Sequence, residues 1–202
     1  RRRIRAEWGV TNEEELIGIV GRLDPMKDHE TFLQAAVLLL PLRKKVRFVC
    51  VGDGQAEYRK TLHDRARALG LSDRILWVGM RLNVVEVYSA LDLLVNCSSG
   101  EGFSNVIGEA MACGIPCVVT DVGDSGLVIG SLGKLVPPRD PIALKSGIEE
   151  LLDRRPSPKE IRRRIVNLFS LETLILQTER ELLALCLQSK GKSSVRSGDT
   201  PA

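Results

Sequence analysis

LLVNCSSGEGFSNVIGEAMACGIPCVVT, from Leu93 to Thr120, contains one complete period of the pattern that organises this chain. LLVNC (Leu93 to Cys97) and PCVVT (Pro116 to Thr120) are short apolar runs without polar alternation, as expected of strands buried on both faces of a sheet. Between them Ser104 or Asn105 can open a helix, Gly114 stops it and Pro116 delivers the chain into the second strand. The loop before that helix, with Glu101 in it, reads as exposed and acidic.

The same alternation extends on either side. LIGIV (Leu16 to Val20), VRFVCV (Val46 to Val51) and ILWVG (Ile75 to Gly79) are further buried-strand runs, and Asp28 to Leu40, Gln55 to Leu69 and Asn83 to Ala90 are helical stretches between them. GKLVPPRDP (Gly133 to Pro141) predicts a last short strand and turn, with Asp140 capping a helix from Pro141 to about Leu152. Two more helices follow, and LFSLETLILQTERELLALCL, from Leu168, suggests the terminal one. Alternating strands and helices predict an α/β fold: a doubly wound parallel sheet with helices on both faces, Rossmann-like, joined by right-handed crossovers. Residues 1–15 read as a polar entry linker, 16–187 as the domain and 188–202 as a disordered polar tail.

A chain of 202 residues can bury a sizeable core, and the length suits one such domain rather than two. Its net charge of +3 is spread over interspersed signs and aromatic residues make up only 4%, which argues against nucleic acid as a partner. The longest apolar run, Ala35 to Leu42, is far too short to span a membrane. Five cysteines, an odd number set mainly in apolar contexts, read as reduced thiols of a cytoplasmic protein. There is no D-x-D pattern, and two histidines, His29 and His63, make no zinc cluster. No metal site and no cofactor are therefore expected.

In an open parallel sheet, the loops that follow the strands gather at the carboxyl edge, where ligands bind. The loop after the first strand carries Arg22 and Lys27; the loop after the fourth carries Glu101, with Glu109 in the second turn of the helix beyond. Backbone N–H groups at a helix start receive phosphate or sugar oxygens, and a carboxylate accepts hydrogen bonds from two neighbouring hydroxyls. A sugar nucleotide carries both kinds of group. By contrast GDG, Gly52 to Gly54, fails the dinucleotide-binding fingerprint, because Glu57 stands at the third glycine's place.

Glu101 and Glu109, separated by seven residues, resemble the signature of the retaining glycosyltransferases of family 4. GRLDPMK (Gly21 to Lys27) resembles that family's diphosphate-binding loop, and the likeness runs from about Ile17 to Leu152. The resemblance implies the C-terminal, donor-binding domain of a twin-domain enzyme of GT-B architecture, whose other domain holds the acceptor and toward which the terminal helix packs back. A chain that opens at Arg1 without Met and matches one domain is then expected to be a fragment that does not turn over alone.

The resemblance further implies a UDP- or GDP-linked sugar as donor and metal-independent transfer with retention. Arg22 and Lys27 would grip the diphosphate, Glu109 the ribose and Glu101 the transferred sugar. Gly102, Phe103, Ser104 and Asn105 would offer backbone N–H groups, and Met80 and Arg81, after the third strand, would lie against the base. The acceptor would be a lipid-linked sugar or polysaccharide precursor. Arg162, Arg163 and Arg164, opposite Ile161, Ile165, Leu168 and Phe169, form a solvated helix face that can also touch anionic lipid at the inner face of the membrane. A nucleotide-sugar epimerase, a phosphorylase of the same architecture and a non-catalytic nucleotide-sugar-binding module remain alternatives.

Overall fold

The computed structural model describes residues 1–193, with side chains to residue 187. Six strands, β1 (Glu15–Val20), β2 (Val46–Val51), β3 (Ile75–Trp77), β4 (Leu93–Asn96), β5 (Cys117–Thr120) and β6 (Lys134–Val136), form one sheet. Every pairing is parallel, in the order β3-β2-β1-β4-β5-β6. The strand order reverses between β1 and β4. A crevice therefore opens at the carboxyl ends of these two strands, since the chain leaves them toward opposite faces.

Both faces are covered. Alternate residues of the strands, such as Ile17, Ile19, Phe48, Cys50, Val95 and Val118, join a core with α2 (His29–Leu39), α3 (Ala56–Ala68) and α7 (Pro141–Arg154). On the other face lie α1 (Arg2–Glu7), α4 (Val84–Ala90), α5 (Asn105–Ala112) and α6 (Ser125–Ile129), each in contact with a neighbour: α1 with α4, α4 with α5 and α5 with α6. Leu16, Leu91, Leu94 and Ile107 are wholly buried there. This is the Rossmann-like arrangement that the strand pattern predicts. Asp140 caps α7 as expected, accepting from the N–H groups of Ile142 and Ala143 at 3.0 and 2.8 Å.

Three expectations need revision. The entry segment, read as a linker, folds as α1: Ile4, Trp8 and Val10 are buried, and Arg5, 1% exposed, donates to the carbonyls of Thr11, Glu14 and Ala90 and to Asp92. A polar sequence thus builds a structural strut, because one arginine satisfies four acceptors. The terminal helix does not start at Leu168. Helix α8 (Pro158–Phe169) ends there, and Ser170 Oγ accepts from the N–H of Thr173 at 3.2 Å to start α9 (Leu171–Ser193). Residues 188–193 of the expected disordered tail are helical in α9, while 194–202 lie outside the described residues.

By contact the chain divides into two compact units, Arg1–Arg163 and Arg164–Ala202. The first unit holds the sheet and the candidate site. In the second, α9 leaves Leu174, Ile175, Leu176, Leu182 and Leu183 exposed. No described helix is long and apolar enough to cross a membrane.

Candidate active site

The loop after β1 owes its shape to two aspartates. Asp24 caps a single 3-10 turn, Pro25–Lys27, through the N–H of Met26 at 2.9 Å. Asp28, with a left-handed backbone (φ 49), caps α2 through the N–H and hydroxyl of Thr31. Lys27 lies between these caps, and its backbone is further held by Cys97, whose Sγ donates to the carbonyls of Lys27 and Asp28 at 3.3 and 3.2 Å. The N–H of Ser99 donates to the carbonyl of Met26 at 2.8 Å. Two motifs more than seventy residues apart are thereby stitched together at the switch point.

The side chains meet there as well. Lys27 Nζ donates to Glu101 Oε1, which also accepts from Ser98 Oγ at 2.7 Å. Burial alone would raise the Glu101 carboxyl, but the hydrogen bonds from Lys27 and Ser98 and the lysine's charge hold it below its usual value. Glu101 is thus an ionised, half-buried partner of Lys27 rather than the exposed loop acid expected from sequence. Beneath it lies a buried polar layer: Asn96 Nδ2 donates to Ser104 Oγ at 2.9 Å, and Thr120 Oγ1 donates to the carbonyl of Ser98 at 2.6 Å. Ser104 occupies the cap position of α5, yet its hydroxyl makes no cap hydrogen bond and instead accepts from Asn96.

Gly102, Phe103 and Asn105 are exposed around that helix start. The loop after β5, which sequence reasoning assigned no role, packs directly behind them: the N–H of Asp124 donates to the carbonyl of Gly102 at 3.2 Å. A Cβ on Gly123 would lie 2.3 Å from the carbonyl oxygen of Glu101, so only glycine permits this approach. Glu109 stands exposed in the second turn of α5 and accepts from the phenol of Tyr88 at 2.7 Å.

The remaining predicted residues are placed differently. Arg22 is exposed and, with Leu23, Asp24, Pro25, Gln55 and Tyr58, borders a cavity of about 500 Å³ between the β1 loop and α3. Met80 is exposed after β3, whereas Arg81 is turned to α1: it pairs with Glu7 at 2.8 Å and lies 6.0 Å from the centre of the Trp8 ring. GDG has its own explanation in backbone contact. A Cβ on Gly52, whose φ is +144°, would come within 1.8 Å of the Gly21 carbonyl oxygen, and Leu23 bridges Gly54. Among the described residues no group of three or more His, Cys, Asp or Glu could hold a metal ion.

A doubly wound parallel sheet with a lysine–glutamate pair at its switch point defines a Rossmann-like domain with a charged crevice at the carboxyl edge. The family model for glycosyl transferases group 1 matches residues 14–154, and the chain belongs to that family. It is 34% identical over 155 residues to the lipopolysaccharide core biosynthesis mannosyltransferase LpsB of Rhizobium meliloti, covering 73% of this chain and 44% of that protein. Against the D-inositol 3-phosphate glycosyltransferase of Mycolicibacterium smegmatis the figures are 35% over 157 residues, 76% and 36%. The chain thus spans less than half the length of these curated relatives.

Among solved structures, Anabaena HepE in complex with UDP matches with a TM-score of 0.82 at 26% identity, over 90% of this chain and 52% of that one. The C-terminal domain of a glycosyl transferase group 1 family protein, LpcC from Francisella tularensis, has the same fold (TM-score 0.75, 22% identity), covering 85% of this chain and 93% of that one.

Proposed function

We propose that this chain is the C-terminal, donor-binding domain of a family 4, GT-B glycosyltransferase that moves a sugar from a UDP- or GDP-linked donor with retention and without a metal. The observation that carries the reading is the meeting of Lys27 and Glu101 at the switch point, at the start of the helix that bears Glu109. The UDP seen in the HepE complex supports the class of ligand.

Lys27 supplies a point charge and Arg22 a planar fork of donors to the diphosphate, stabilising charge that builds on the leaving group. Glu109 accepts from the ribose hydroxyls, and Met80 borders the base, whereas Arg81 is held by Glu7. The N–H groups from Gly102 to Asn105 receive sugar or phosphate oxygens. Glu101, already ionised, accepts from hydroxyls of the transferred sugar and steadies positive charge at the anomeric carbon. As the bond from that carbon to the diphosphate oxygen breaks, the acceptor oxygen bonds to the carbon on the same face and its proton passes to the leaving phosphate. No protein nucleophile is required. The acceptor, a lipid-linked sugar or polysaccharide precursor, would be held by another domain, at the cytoplasmic side of the membrane.

Calorimetry with UDP, GDP and their nucleosides, with and without EDTA, tests this reading. Diphosphates should bind better than nucleosides, and chelation should leave their affinity unchanged. Absence of binding at millimolar concentration, or a strict requirement for magnesium or manganese, overturns it.

A further inference from the structure

Tyr88 belongs to none of the motifs given a role above, yet its hydroxyl ends at the candidate site. It lies on α4, is 0% exposed, and donates its phenolic proton to Glu109 Oε2 across the contact between α4 and α5. A phenol has one proton to give, so Oε1 of Glu109 and the second lone pair of Oε2 remain for other donors. An exposed glutamate on a helix normally exchanges among rotamers, and binding a ligand through it forfeits that freedom. A charge-assisted hydrogen bond from a buried, rigid donor removes the freedom beforehand.

We propose that Tyr88 is a positioning residue for ligand recognition: its phenol fixes the Glu109 carboxylate in the orientation that accepts both hydroxyls of a nucleotide ribose. The inference rests on the reading of Glu109 as the ribose carboxylate. Burial, then the bond to Glu109, pushes the Tyr88 phenol far above its ordinary range, so it stays a donor throughout the working pH range. A merely structural tyrosine would satisfy its hydroxyl in the same way, and ribose selectivity separates the two roles.

Calorimetry with UDP and 2′-deoxy-UDP on the wild type, Tyr88→Phe and Glu109→Ala provides that measurement. Phenylalanine keeps the ring and removes only the donor to a carboxylate that water can reach, and a thermal melt of the variant monitors its fold. Tyr88→Phe should weaken UDP binding about three- to tenfold and 2′-deoxy-UDP, which keeps one hydroxyl for Glu109, by clearly less, so the preference for ribose shrinks. If the melting temperature falls and the preference stays at the wild-type ratio, Tyr88 is structural and the proposal is overturned. A wild type that ignores the 2′-hydroxyl, or a Glu109→Ala variant that keeps the preference, instead removes Glu109 from the ribose and the role of Tyr88 with it.

Discussion

Lys27 has its position set, because two aspartate caps and the Cys97 thiol fix its backbone and Glu101 holds its ammonium. If Lys27 grips the diphosphate as proposed, that ligand meets an ordered cation, and the ordering entropy of a free lysine is not lost on binding. Each charge-assisted contact contributes about 1.5 to 3 kcal/mol, so Lys27→Ala should weaken diphosphate binding about 10- to 100-fold, measured by calorimetry without metal. His29, next along the chain, reports on stability instead. Burial lowers its pKa from 6.5 to about 4, against the opposing charge of Asp28, so the folded state keeps it neutral where the unfolded state takes up a proton. Stability then rises with pH between those values and is lost as pH falls through the same window, by roughly 3 kcal/mol in total. Urea unfolding of wild type and His29→Gln from pH 7 to pH 4 should show a difference of that slope, and parallel curves would contradict it.

The elements legible in the sequence were those with a local signal: apolar runs for strands, and Asp28, Ser104 and Asp140 at helix starts. Helix α1 has no such signal. Its six residues include three arginines, and it is held by the burial of Ile4 and by Arg5, which finds Asp92 and three carbonyls that the rest of the fold brings to it. Arg5→Met should take the donor from the carbonyls of Thr11 and Glu14, while Asp92 and Ala90 keep Arg1, and cost about 2 to 4 kcal/mol, read as a shift in the urea midpoint at unchanged slope. Helix α6, only Ser125–Ile129, was missed for a similar reason: five residues with a glycine among them are too few to show a helical period. At the candidate site, the motif pointed to Lys27, Glu101 and Glu109, whereas the residues that support them carried no signal. Tyr88, Ser98, Asn96 and Gly123 look like ordinary helix, strand and turn residues until the sheet places them under Glu109 and Glu101.

Strand order, too, had to be seen, because six similar apolar runs do not say which of them are neighbours. Once β1 lies beside β4, the basic and acidic loops become one site, and occupancy of that site is coupled to the stability of the unit that carries it. A ligand at 100 times its dissociation constant adds about 2.7 kcal/mol, and for a chain of this size each kcal/mol raises the melting temperature by roughly 2 to 4 °C. UDP or GDP at that concentration in EDTA should therefore raise the main thermal transition by about 5 to 10 °C, and the nucleosides at equal concentration by much less. Lys27→Ala connects this shift to the switch point. With affinity reduced 10- to 100-fold, the same concentration adds only about 0.4 to 1.4 kcal/mol, so the shift should fall to a few degrees or less. A variant that melts like the wild type with nucleotide present would mean that the diphosphate sits elsewhere on the sheet.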